Sequence, residues 1–294
     1  MTPRLKALLV LFTGAVLISF SPAMVKVAAD RMLGPSAIGF WRMLMGGLVL
    51  FATAFLQGKR LRLTGNALRF AALAGFLFFI DLSFWHRSIV YAGSGMATIL
   101  ANTQVFVTAV LSFFVFKEKL TIRFFLSALG AFVGVALLIG LAGSEVEFTT
   151  RYVKGVIFGL ITGLAYANYI VSLKKGRMSA NQPDAVVFMA WTSLFSALFL
   201  GLTASGESGA FLPVSLAAAA ALVGLALLVQ ALGWWAISSV LPKVPTPQAG
   251  LALLLQPALA MVWGVLFFGE YLVFSQIVGA IITLTAIYAG SLGE

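Results

Sequence analysis

Of 294 residues, 61% are apolar and 10% charged, and the mean hydropathy is +1.06. A soluble domain carries about 25% charged residues, so this chain cannot cover a globule in water; its outer surface faces lipid, where only helices and closed barrels satisfy the backbone. The net charge of +10 would point to nucleic acid in a soluble protein, but in a membrane chain it marks basic loops beside anionic lipid, and no cysteine and a single histidine exclude disulfides, thiolate ligands and a His-rich metal site.

Barrel strands alternate apolar and polar residues over about ten positions. The apolar runs here are about twice that long and unbroken, which predicts an all-α integral membrane protein. Spans of about twenty residues are expected at 5–28, 36–57, 68–90, 93–116, 121–142, 153–174, 184–204, 214–240, 246–268 and 273–292. Arg4 and Lys6 before the first run outline a signal peptide, but the run is long enough to be an uncleaved first helix. With a cytoplasmic N-terminus, thirteen basic residues fall on inside segments: Arg4, Lys6, Lys59, Arg60, Arg62, Arg69, Lys117, Lys119, Arg123, Lys174, Lys175, Arg177 and Lys243. The other six fall outside or near outer helix ends, which places both termini in the cytoplasm.

Residues 94–120 align without a gap on 246–272 at an offset of 152. Ala97 pairs with Ala249, Gln104 with Gln256, Val110 with Val262, Phe116 with Phe268, Glu118 with Glu270 and Leu120 with Leu272. The halves, 1–146 and 147–294, each hold five spans, an odd number, so the second is inverted relative to the first. Inverted repeats are a signature of secondary transporters, whose site lies near the midplane.

The stretch SFWHRSIVYAGSGMATILANTQVFVTAVLSFFVFKEKLT and its echo LLLQPALAMVWGVLFFGEYLVFSQIVGAII resemble the ten-helix, EamA-like members of the drug/metabolite transporter superfamily. Within it, the chain is most similar to the bacterial aromatic and hydrophobic amino acid exporters. The resemblance implies a bacterial inner-membrane exporter working by alternating access, with a cavity lined by helices one, three, four, six, eight and nine.

Asp81 sits mid-helix, where a charge costs about 3 kcal/mol by the lower scales. It serves a substrate ammonium, carries a proton, or pairs structurally with Arg42 or Lys26; Arg42 and Lys26 themselves are expected to snorkel to the outer headgroups. Trp85 lies one turn from Asp81 on the same face. His86, beside it, is the one residue type that titrates near neutrality, and is a proton relay or a satisfied polar side chain. Thr162, Tyr166 and Tyr169 share a helical face, as do Gln230, Trp234 and Ser238; Thr98 and Asn102 form a pair, and Gln256 and Trp263 stand two turns apart. With Phe20 they form a candidate lining of aromatic walls and placed polar groups, suited to an amphipathic metabolite. Each can instead bond helices together or sit at the lipid interface.

Pro22 and Pro257 fall inside spans and are candidate hinges or static bends. The small residues Gly93, Gly95, Ala97, Ala101, Ala128, Gly130 and Gly134 predict close helix packing. Glu118 and Glu270 each precede a helix, whose N-terminus favours a negative charge. No phosphate loop, catalytic triad or metal-ligand spacing is visible, so neither enzyme activity nor a cofactor is expected. The expected partners are a small-molecule substrate and the bilayer, without nucleic acid. One chain suffices for a complete pathway and oligomers stay open. Amino acid export, without or with weak ion coupling, stands beside proton antiport of other metabolites or cationic drugs.

Overall fold

A computed structural model describes residues 2–29, 33–92, 94–138, 149–180, 182–207, 209–269 and 274–291, apart from the side chains of 90, 94, 95, 138, 268 and 291. Glu270 and Gly93 lie outside the described residues.

The described residues are predominantly helical, and the helices begin and break where side chains dictate. α1 (Pro3–Ile18) starts with a proline at its first position and with the Thr2 hydroxyl accepting from Leu5 N–H at 3.3 Å. It ends one turn before Pro22, whose missing N–H cannot serve the Ile18 carbonyl; α2 (Ser21–Ala29) follows at once. α3 (Pro35–Leu56) also opens on proline, and Glu207, far along the chain, accepts from Ser36 N–H at 3.2 Å and Ser36 Oγ–H at 2.7 Å. α4 spans Gly65–Ala92. α5 (Ser94–Asn102) and α6 (Gln104–Phe116) flank a break at Thr103. There the Thr103 hydroxyl donates to Leu100 O at 2.5 Å and Asn102 Nδ2 to Thr98 O at 2.8 Å, so side chains take carbonyls that a continuous helix would use. α7 (Ile122–Leu138) and α8 (Thr150–Arg177) follow. α9 (Ala185–Ala204) is capped by Asp184, whose Oδ1 accepts from Val186 N–H at 2.9 Å.

α10 (Leu216–Gly224) passes into ten residues of π-helical turns, Leu225–Trp234, and then into α11 (Trp235–Val240). π turns are rare and usually single; this run carries Gln230 and Trp234. α12 (Thr246–Ala252) and α13 (Leu255–Phe268) are separated at Leu253 and Leu254, one turn before Pro257. α14 is Phe274–Ser291.

These helices occupy all ten predicted segments. Among the described residues, eight helical runs are long and apolar enough to cross a membrane, and Ile122–Leu137 and Phe274–Gly290 are shorter apolar helices. The exposed side chains of Leu56, Ile122, Leu216 and Phe274 show why: the outward faces carry large apolar groups that only lipid can cover. The repeat is visible in the backbone too. The breaks at 103 and 253–254 match within two residues at the 152 offset. Lys117 and Gly269, a matched pair, both end their helices in the left-handed region, at φ 57° and 63°.

The chain forms two compact units, each drawing on both halves: Met1–Ser83 with Tyr169–Val244, and Phe84–Asn168 with Pro245–Glu294. In the first, α3 packs along α9 and against the π turns; in the second, α7 packs along α14 and α6 against α12. Small residues permit the closest approaches. A Cβ added at Gly134 of α7 would fall 2.7 Å from Gly279 O, whereas one at Gly130 would meet only Ala286 Cβ at 3.5 Å. The tightest ladder is one the predicted small residues did not include. Gly155, Gly159 and Gly163 of α8 abut Ala92, Leu100 and Thr103, and a Cβ at Gly159 would lie 2.7 Å from Leu100 Cβ.

Candidate functional site

Four acidic residues are described: Asp81, Glu118, Asp184 and Glu207. Three of them sit at helix N-termini. Asp184 caps α9 and Glu207 caps α3. Glu118 accepts from Thr246 N–H at 2.9 Å, so it serves the first turn of α12 rather than the helix that follows it in sequence. Asp81 alone of the four lies inside a helix, and it is buried.

Its electrostatic neighbour is Arg42. That side chain does not snorkel as expected, for it is 6% exposed, with Nη1 3.4 Å from Ser21 Oγ and its guanidinium carbon 5.3 Å from the Phe78 ring centroid. The reason is position: seven residues beyond the start of α3 places Arg42 about 10 Å into the helix, too deep to reach back. Lys26, near the end of α2, is exposed.

Phe78 belongs to a cluster of three rings. It stacks on Tyr169 at 4.5 Å and 13°, and Trp234 meets Phe78 edge-on at 5.5 Å and Tyr169 at 4.8 Å. All three are buried. Tyr169 comes from the C-terminal half of α8 and Trp234 from the last π turn. Beside Trp234, Gln230 is buried and donates from Nε2 to Ser193 Oγ at 2.9 Å. The first unit thus gathers Arg42, Asp81, Phe78, Tyr169, Gln230 and Trp234. Of the expected lining it also holds Phe20, half-buried, with Pro22.

The second unit holds Trp85, His86, Asn102, Tyr166, Gln256 and Pro257. Trp85 is half-buried and His86 buried, their rings 5.3 Å apart. Asn102 is committed to the Thr98 carbonyl. Gln256 Nε2 donates to the Tyr166 hydroxyl at 2.9 Å, both residues half-buried. Its repeat mate Gln104 is fully buried, donating to Gly250 O at 3.0 Å and accepting from Thr108 Oγ–H at 3.0 Å. Matched positions therefore differ: Gln104 ties helices, and the Gln256–Tyr166 pair is half-open. Thr162 is turned back on its own helix, at Phe158 O. Among the described residues no group of three or more His, Cys, Asp or Glu could hold a metal.

Outside the spans, Asp184 also pairs with Lys59 at 2.9 Å. Burial pushes its carboxyl up. The hydrogen bonds from Lys59 and Val186, with the charges of Lys59 and Arg177, outweigh that and hold it below the usual carboxylate range. A depressed folded pKa contributes stability above the unfolded value of about 3.9 and loses it as pH falls through the folded one. The side chain is 39% exposed, so solvent screening limits the pair to about 0.5 kcal/mol. Thermal midpoints of native protein and Asp184→Asn are thus expected to differ slightly at pH 7 and to converge as pH falls below about 4. A gap that widens in acid would contradict the sign.

The chain matches the EamA-like transporter family over residues 5–140 and again over 153–291. It is 26% identical over 250 residues to an uncharacterized transporter of Clostridium kluyveri, covering 81% of this chain and 77% of that protein. The transporter YdfC of Bacillus subtilis, also uncharacterized, is 25% identical, with 85% and 79% covered. A protein of Salmonella typhimurium described as a probable amino-acid metabolite efflux pump is 23% identical, with 68% of each chain covered. A solved crystal structure superposes with a TM-score of 0.84 at 18% identity over 98% of both chains, which shows the same fold.

Proposed function

We propose that this chain, which belongs to the EamA-like transporter family, exports amino acids, aromatic and hydrophobic ones among them, across the bacterial inner membrane. The family makes it a multi-pass membrane transporter of a small molecule. Two inverted halves, 1–146 and 147–294, would alternate access, with both termini cytoplasmic and one chain carrying the whole pathway. Pro22 and Pro257, each one turn beyond a helix break, would be the hinges.

The observation that carries the amino acid reading is the company Asp81 keeps. A buried carboxylate, a buried guanidinium and three mutually packed rings occupy one unit. That set matches an ammonium, a carboxylate and an aromatic or apolar side chain. The similarity to a probable amino-acid metabolite efflux pump points the same way. A second reading, proton antiport of other metabolites or cationic drugs, draws on Asp81 alone, since a membrane carboxylate also serves as a proton carrier.

Uptake of labelled phenylalanine and tryptophan into proteoliposomes, with and without a pH gradient, separates the two. Saturable uptake without a gradient is expected. Absence of aromatic uptake into intact vesicles would reject the amino acid assignment, and uptake that requires the gradient would favour antiport. In the same assay Trp234→Phe is expected to raise the half-saturation concentration for tryptophan about fivefold, the loss of about 1 kcal/mol of ring contact. An unaltered half-saturation would remove Trp234 from the site.

A further inference from the structure

One end of the first unit holds a cavity of about 620 Å3 that the transport reading does not use. It is formed where three connections come together: Lys59 follows α3, Arg177 ends α8, Asp184 precedes α9, and Trp235, Ser239 and Lys243 come from α11 and the turn after it. In a chain with few charges, three cations here face one carboxylate, and no second acidic side chain lines the cavity among the described residues. Lys59 forms an ion pair with Asp184 at 2.9 Å, and the charge of Arg177 also acts on that carboxyl. Arg177 uses Nε on Ser238 O at 3.4 Å, which leaves the flat outer edge of its guanidinium for another acceptor. Lys243 is exposed, and Trp235 is 37% exposed although it belongs to an otherwise buried helix end.

Basic residues on cytoplasmic loops have a general explanation in membrane topology. That explanation needs no concavity, and it applies equally to Arg62, which lies in the same connection as Lys59, exposed and outside the cavity. The cavity's volume falls in the range of small-molecule sites. A guanidinium fork beside an ammonium suits the oxygens of a phosphate, and a half-exposed indole is the side chain found at headgroup depth.

We propose that this cavity binds an anionic phosphate group, presented by a phospholipid headgroup or by a soluble phosphate ester. The site is independent of the amino acid reading and stands or falls apart from it. Full-length protein in detergent would be titrated with phosphatidylglycerol, phosphatidylcholine and inorganic phosphate, with the thermal midpoint and native mass spectrometry as readouts. Phosphatidylglycerol is expected to bind in preference to phosphatidylcholine. Lys243→Gln is expected to weaken that binding about fivefold, Arg177→Gln with Lys243→Gln about 25-fold, and Arg62→Gln less than about twofold. Lys243 is exposed, so its single variant decides the matter even if the double variant folds poorly. A response to phosphatidylglycerol alone assigns the phosphate to a lipid headgroup; a response to inorganic phosphate alone, lost in Lys243→Gln, assigns it to a soluble ester. No preference for either probe, or a preference that Lys243→Gln and Arg62→Gln change equally, overturns the site.

Discussion

Asp81→Asn is expected to cut amino acid uptake in proteoliposomes by at least about thirtyfold, the lower end of the 2–5 kcal/mol seen when one partner of a buried charge contact is removed. The argument rests on elimination as much as on position. The other three described carboxylates have assigned work at the starts of α3, α9 and α12. Asp81 lies buried in α4 with Arg42 as its electrostatic neighbour. The same variant leaves Arg42 buried without that countercharge, which destabilises the fold. Lost transport and lost stability must therefore be separated. The double variant Asp81→Asn with Arg42→Gln removes both charges. If Asp81 and Arg42 meet the substrate ammonium and carboxylate, the double variant regains thermal stability but not uptake. If the two serve only to balance each other, both return, and the substrate role of both is wrong.

The second large effect is steric and has its own internal control. Gly159→Ala is expected to destabilise the protein and Gly159→Leu to abolish recovery of folded material. Gly130→Ala, the same chemical change, should be neutral or mildly stabilising. At Gly159 the new carbon would lie 2.6 Å from Leu100 Cδ1, 2.7 Å from Leu100 Cβ and 2.9 Å from Ser88 Oγ. Ser88 cannot move without losing its 2.8 Å bond to Gly155 O. Overpacking of this kind costs about 1–3 kcal/mol for small additions and more for a leucine. At Gly130 the nearest atom stands at 3.5 Å, so the ordinary helix preference for alanine over glycine, about 1 kcal/mol, is free to act. Thermal midpoints of purified Gly159→Ala and Gly130→Ala that move in the same direction would refute this packing.

Much of the fold was legible because the bilayer writes its thickness into the sequence. All ten apolar segments are helical, and the 152-residue repeat survives as helix breaks and left-handed caps at corresponding places. Pro257 marked its break, since a missing N–H is a local fact. The break at Thr103 was not marked, because Thr103 and Asn102 act there through side-chain bonds to nearby carbonyls. Long-range pairings were likewise hidden. Nothing near Glu118 named Thr246, and nothing near Ser36 named Glu207. The candidate site was legible in part. Asp81, Tyr169, Gln230 and Trp234 stood out as polar or aromatic residues in apolar spans. Phe78 did not, being one of 26 phenylalanines, and neither did the depth of Arg42, which depends on where α3 begins. The π turns left no trace in residue spacing, and so the face shared by Gln230 and Trp234 was reached on an α-helical assumption. The α8 glycines were plain in the sequence at intervals of four, and only their contacts show what the interval serves.

The way the two compact units are assembled constrains how the protein is made. A ribosome delivering the chain from its N-terminus has made α1–α7 and most of α8 before Tyr169 can begin to complete the first unit, which waits for residues as late as Val244. Phe84–Asn168, already in the bilayer by then, waits longer still for Pro245 onward. For most of synthesis the polar groups that end up enclosed, Arg42 and Asp81 among them, must be held in the membrane by something other than their final neighbours. Cutting the gene between its two halves would divide both units, so neither product would inherit a finished body. Insertion machinery that keeps nascent helices together thus belongs to the folding of this chain as much as its own packing does.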